Sequence, residues 1–138
     1  MNPLLDTVRT AADSAMLSLI WLVQLIIYPA FYYIESGRFM EWHRKYVTAI
    51  GLLVIPLMLI QAGCIGLQLV QQADAAHLLA AAAVAAAWII TFAISAPCHR
   101  RLQQAGHDAN IIRRLIATNW LRTACWSLTW MLGLLSRQ

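Results

Sequence analysis

The stretch Met16 to Ile34, MLSLIWLVQLIIYPAFYYI, carries no charged residue, and its only polar side chains besides tyrosines are Ser18 and Gln24. A helix needs about 20 such residues to cross a ~30 Å hydrocarbon core. Three more stretches of this kind follow, so the expected spans are Asp13 to Tyr33, Ile50 to Val70, His77 to Ala96 and Ile111 to Leu135. Helices are the expected form, because lipid offers backbone groups no hydrogen-bonding partners. The fold class expected is all-α, an integral membrane four-helix bundle, with residues 1–138 forming one transmembrane domain. The first span reads as retained rather than as a signal peptide, since its apolar run is long and lacks a small-residue cleavage site.

Composition agrees. Of 138 residues, 61% are hydrophobic and 12% are charged, against roughly 25% charged in a soluble domain. A small water-soluble chain cannot hide that much apolar surface. The net charge of +4 invites a nucleic-acid partner. The charges, however, sit in short loops beside apolar runs, where membrane topology explains them better. The expected partner is therefore the lipid bilayer and not nucleic acid.

The loops orient the bundle. Arg38, Arg44 and Lys45 follow span one, and Arg100, Arg101, Arg113 and Arg114 follow span three. These loops share a side. The other side carries only Arg9 and Arg137. Positive charge stays in the cytoplasm, so both termini are expected to be periplasmic and the membrane a bacterial inner membrane.

Local signals place the helix ends. Ser36 is a candidate cap for a helix from Gly37, Asp108 caps the fourth helix, and Gly106 ends the third. The stretch from Gly37 to Gln71 is too long for hydrocarbon if wholly helical, so FMEWHRKY is expected to be an interfacial or protruding helical segment. Pro56 removes a backbone donor and is expected to kink the span. The alanine-rich third span, HLLAAAAVAAAWII, and the pair Ala62 and Gly66 suit close helix packing.

Polar residues inside the spans form stripes. Asn119, Arg122, Thr123 and Trp126 fall at i, i+3, i+4 and i+7, and so share a helix face. Ser14, Ser18, Trp21, Gln24, Tyr28 and Tyr32 form a stripe on the first helix, and Trp88, Thr91, Ser95 and His99 one on the third. A bundle would turn them inward, with Gln61 added from the second helix. Arg122 is the sharpest of these residues. An intramembrane arginine costs about 2.5–3.5 kcal/mol on insertion scales, and it keeps its charge. No Asp or Glu lies within the expected membrane cores. Its candidate partners are Gln24, Tyr28, Asn119, carbonyls freed near Pro29 or Pro56, or an anionic ligand. A purely structural arginine bound to carbonyls is the alternative.

His43, His99 and His107 fall at the cytoplasmic end. Three imidazoles there could ligate a metal or haem. They show no His-x-x-x-His or Cys-x-x-Cys-His spacing, and the basic neighbours oppose a cation, so no metal site is assigned. Cys64, Cys98 and Cys125 lie at different depths and read as packing residues. Trp21, Trp88 and Trp126 sit too deep for an interfacial belt and are candidates to line a pocket.

Asn119-Trp120-Leu121-Arg122-Thr123, Tyr28-Pro29-Ala30-Phe31 and the Phe39 to Tyr46 segment resemble small four-helix membrane proteins of the anthrone oxygenase-like group. The resemblance covers these segments and the overall layout. It implies that Asn119 and Arg122 matter. The group's name implies oxidation of polycyclic aromatic substrates, but no residue set here establishes that chemistry.

Two readings follow. In the first, a polar–aromatic pocket within the bundle binds a small aromatic or anionic ligand or cofactor. Arg122, Asn119, Gln24, Tyr28, Trp21, Trp88, Trp126 and His99 are its candidate binding residues, with Tyr28 or His99 placed to exchange protons. In the second, the stripes knit the helices or bind a partner subunit, and the protein is a structural or accessory one. A homo-oligomer or a partner membrane subunit is open in both.

Overall fold

The computed structural model describes residues 2–135. Those residues form four helical units and no strand: α1 Pro3–Tyr33, α2 Ser36–Gln71, α3 Ala75–Ala105 and α4 Ala109–Leu135. The helices α1, α2 and α3 are each long and apolar enough to cross a membrane. The fourth, which carries Arg113, Arg114, Asn119 and Arg122, is not among them.

Capping sets the ends. Asn2 Oδ1 accepts from the Leu4 and Leu5 amides at 3.1 and 3.4 Å, with Pro3 opening the first turn. Proline suits that position because its missing N–H would be unpaired there anyway. The first helix therefore starts at Pro3, well before Asp13. Ser36 is not a cap: it is the first residue of α2, Glu35 stands at the cap, and no side chain bonds there. FMEWHRKY and the apolar run form one helix of 36 residues, about 54 Å long. That helix continues through Pro56. Asp74 caps α3, accepting from the His77 amide at 2.9 Å and from its ring at 2.8 Å. Those two bonds hold the Asp74 carboxyl below the usual carboxylate range.

Gly106 ends α3 with φ +80°, a left-handed conformation that glycine adopts without strain. Asp108 caps α4 as expected, accepting from the Asn110 and Ile111 amides at 2.8 and 3.1 Å. Asp108→Ala is expected to cost about 1 kcal/mol, read as a lower thermal midpoint in detergent. An unchanged midpoint would show that this cap contributes nothing.

Two π turns interrupt the helices, Val23–Ile27 in α1 and Thr91–Ser95 in α3. Each lies just ahead of a proline, Pro29 and Pro97. A proline in a helix lacks the N–H and crowds the carbonyl four residues back, here that of Leu25 or Ala93. The widened turn accommodates that carbonyl. It also inserts one residue and re-phases everything beyond it.

The helices pack as a closed ring in which each touches its neighbours in sequence and α4 closes onto α1, an up-down-up-down bundle. Ala80, Ala83 and Ala87 are buried at helical spacing, and α3 lies closely along α4. The Ala62–Gly66 pair behaves otherwise: Gly66 is exposed, and a Cβ there would meet nothing within 4 Å. The seam between α2 and α3 closes on either side of the Thr91–Ser95 turn and opens beside it.

The distribution of polarity is inverted relative to a soluble protein. Leu25, Ile26, Leu52, Leu53, Ile89 and Phe92 face outward. Arg9, Asp13, Gln61, Gln68, Asn119 and Arg122 are buried. Arg9, expected in an outer flank, lies inside α1 and pairs with Asp13 at 3.3 Å, the two side chains 3% and 2% exposed. A carboxylate, that of the first residue of the expected first span, therefore lies inside the bundle. The expected first span began at Asp13, which left Arg9 outside it and the pair unrecognised. Arg137 lies outside the described residues.

Candidate functional site

Beside the α3 π turn lies a cleft of about 470 Å³ between α2 and α3. Its walls are largely apolar, with Val54 and Met58 among them, and its polar side is built by Tyr28, His43, Ser95, His99 and Arg122. Trp126 also lines it.

Arg122 is held from three directions, all by neutral groups. Nη1 donates to Ser95 Oγ at 3.2 Å and to Asn119 Oδ1 at 3.0 Å. Its guanidinium carbon lies 5.0 Å from the centre of the Trp126 ring, an electrostatically favourable approach to the aromatic face. The Tyr28 hydroxyl faces the same guanidinium. Buried Nε has no partner among the described residues. Asn119 is oriented in turn by Gln24, whose Oε1 accepts from Asn119 Nδ2 at 2.8 Å. The other end of the Gln24 amide donates to the Ile116 carbonyl at 3.3 Å. The fourth-helix stripe therefore faces inward as expected, with Asn119, Arg122, Thr123 and Trp126 all buried.

A chain of side chains runs from Arg122 towards the basic loops. Tyr28 Oη lies 3.1 Å from His99 Nε2, and His99 Nδ1 lies 3.0 Å from His43 Nε2. His43 Nδ1 lies 3.2 Å from Gln103 Oε1. Aromatic rings wall this chain. Phe31, fully buried, stands edge-on to the rings of His43 and Tyr46 at 5.7 and 5.3 Å. Phe39 stacks on His43 at 5.4 Å. His107 stays apart, because its Nε2 serves the Phe31 carbonyl at 3.0 Å. The three histidines expected at one end therefore do not converge. Among the described residues, no group of three or more His, Cys, Asp or Glu side chains is placed to hold a metal.

A second polar chain continues to the terminal end. Trp126 Nε1 donates to Gln61 Oε1 at 3.0 Å, and Gln61 Nε2 donates to Asp13 Oδ1 at 2.6 Å. Beyond the Arg9–Asp13 pair, Arg9 Nη1 donates to Gln68 Oε1, and Gln68 Nε2 donates to Asp6 Oδ1 at 2.8 Å.

Of the residues expected to bind, Arg122, Tyr28, Trp126 and His99 meet in the cleft, while Asn119 and Gln24 stand behind Arg122 and position it. Trp21 and Trp88 are elsewhere. Trp21 is 38% exposed, and its indole donates to Ser127 Oγ at 3.2 Å across the α1–α4 seam. Trp130 does the same to Ser14 Oγ at 3.1 Å. Two of the six residues of the first-helix stripe, Ser14 and Trp21, therefore form a clasp between two helices rather than a lining. Trp88 packs among Met58, Ala87 and Val84 and edge-on to Phe92, its buried indole N–H without a partner among the described residues.

His43, Tyr46 and Gln103 line the cleft without having been singled out as binding residues. The first two had a signal: Phe39, His43 and Tyr46 fall at i, i+4 and i+7, one stripe on a helix. Gln103 had none. Comparison with known proteins adds no assignment: no family model, no curated protein and no solved structure matches this chain.

Proposed function

We propose that the chain is an integral protein of a bacterial inner membrane, its termini periplasmic, and that the cleft between α2 and α3 binds a small aromatic or anionic molecule. The apolar exterior and polar interior support the membrane reading, since an exposed apolar surface that large marks contact with lipid or a partner. The gathering of Arg38, Arg44, Lys45, Arg100 and Arg101 at one end supports the orientation.

One observation carries the ligand reading. A buried guanidinium opens onto a cavity while its hydrogen-bonding partners are all neutral. A cation removed from water is stabilised most by a charged or strongly polar acceptor, and a carboxylate, aryloxide or quinone-like oxygen in the cleft supplies one. The cleft volume lies within the ~300–1,000 Å³ range of small-molecule sites. Asn119 and Arg122, the residues that the anthrone oxygenase-like resemblance brings forward, are then an orienting residue and a ligand contact.

The test is native mass spectrometry of protein taken into lipid nanodiscs with no ligand added. The expected spectrum contains a bound aromatic or acidic small molecule that is absent from Arg122→Leu. A wild-type spectrum of protein and lipid alone overturns the reading. A second reading, an accessory membrane subunit without a ligand, is supported by the bond of Arg122 to Ser95, which joins α4 to α3 unaided.

A further inference from the structure

The hydrogen-bonded chain beyond Tyr28 has a direction that its far end dictates. Gln103 Nε2 lies 3.1 Å from the Met40 carbonyl oxygen, which can only accept. The amide is thereby fixed, and Gln103 Oε1 faces His43 Nδ1. An amide oxygen also only accepts, so His43 carries its proton on Nδ1. Neutral His43 then accepts at Nε2, which makes His99 Nδ1 the donor of the bond between the two rings. Neutral His99 accepts in turn at Nε2, so Tyr28 donates its hydroxyl proton to it. The Tyr28 oxygen keeps a lone pair, and it faces Arg122 and the cleft. Every proton from Tyr28 to Gln103 points away from Arg122 and towards the Met40 carbonyl.

We propose that Tyr28, His99 and His43 form a proton acceptor for a hydroxylated aromatic bound in the cleft, a phenol or hydroquinone, with Arg122 holding the aryloxide that results. The proposal rests on the ligand reading above and names its chemical class. The ligand O–H bond breaks and its proton passes to the Tyr28 oxygen, while the Tyr28 proton passes to His99 Nε2. His99 becomes an imidazolium and shares its Nδ1 proton with His43 Nε2. One proton has moved from ligand to the histidine pair, and no electron has moved. The aryloxide stays beside the Arg122 guanidinium.

Burial and the Arg122 guanidinium both oppose charge on His99, so the aryloxide formed in the same step must offset it. The titratable and charged groups around the pair are Tyr28 from α1, Tyr46 from α2, Cys98 from α3 and Arg122 from α4, with Arg44 and Arg100 along the cleft. The same burial and cation keep the pair neutral at rest, and no carboxylate among the described residues bonds to it. The aromatic wall excludes water, which strengthens each bond of the chain.

Two measurements test this. In nitrogen-15 NMR of histidine-labelled protein without ligand, His43 and His99 are both expected as the Nδ1–H form. Finding either as Nε2–H breaks the chain and overturns the proposal. The second uses 4-nitrophenol, which is yellow only when ionised, added to wild type in nanodiscs at a pH below its own ionisation. Bound probe is expected to be yellow, and the colour per bound molecule to fall about tenfold in His99→Phe, the effect of about one unit in the probe's pKa. Probe that binds wild type saturably but colourlessly overturns the proton acceptor and leaves the ligand reading standing. No saturable binding, or binding equal in Arg122→Leu, overturns both.

Discussion

Arg122→Leu is expected to empty the cleft while leaving the helix content of the protein near that of wild type. Leucine fills much of the arginine stem's space but offers no donor to an acidic or carbonyl oxygen. A hydrogen bond to a charged group contributes about 1.5–3 kcal/mol, so affinity should fall on the order of tenfold to a hundredfold. The fold should tolerate the change, because the groups bonded to Arg122 are neutral and no opposite charge is left buried without its partner. Gln24 still holds Asn119, and Trp126 still bonds to Gln61. Arg122→Lys keeps the charge but loses the planar guanidinium that lies over Trp126 while its Nη1 reaches Ser95 and Asn119. It should bind more weakly than wild type and more tightly than leucine. Titration of both variants with the co-purified molecule, alongside circular dichroism, separates the roles. Full binding by Arg122→Leu would remove Arg122 from the site. Loss of fold in both variants would favour the accessory-subunit reading.

The second large effect belongs to the terminal half. Asp13→Ala leaves the buried Arg9 without its carboxylate while Gln68 still accepts from Nη1, and Arg9→Leu leaves a buried carboxylate served by Gln61. Breaking a buried pair on one side costs about 3–5 kcal/mol, whereas removing both charges together is often close to neutral. Each single variant should therefore unfold at a much lower temperature in detergent, and Arg9→Leu with Asp13→Leu should recover most of the loss. Additive effects across this double-mutant cycle would mean that the two side chains do not act as a pair.

Gly133 reports on the same contact. A Cβ there would lie 3.0 Å from Asp13 Oδ2, too close without a shift of the carboxylate. Gly133→Ala should destabilise wild type by about 1–3 kcal/mol and have a much smaller effect once Asp13 is alanine. Asp13 also reaches the cleft through Gln61 and Trp126. Its loss should therefore weaken ligand binding without touching the ligand.

What was legible in the sequence depended on helix regularity. The stripe on α4 was readable because that helix has no π turn, so Asn119, Arg122, Thr123 and Trp126 keep one face. The stripe on α1 was read with a uniform period, which the turn Val23–Ile27 breaks. Gln24 and Tyr28 face inward, while Ser18, Trp21 and Tyr32 are exposed. The Arg9–Asp13 pair has the i, i+4 spacing of a helical ion pair, and on α2 Gln61 and Gln68 lie seven apart to meet it. Drawing the first span from Asp13 hid that match. His43 and His99 stand on different helices, and nothing local in a single chain pairs residues so far apart. Their meeting follows from how α2 and α3 close around the basic end.

A helix with one residue too many in a single turn behaves like a gear with an inserted tooth. Deleting one residue from Thr91–Ser95 would rotate the remainder of α3, Ala96–Ala105, by about 100° relative to the helix before it. His99 and Gln103 would swing away from His43, whereas Ala80, Ala83 and Ala87 would keep their seat against α4. The same surgery within Val23–Ile27 would displace Tyr28 and spare Arg9 and Asp13. The two π turns thus make the alignment of the basic half mechanically separable from that of the terminal half. Insertions and deletions there could retune the first without disturbing the second.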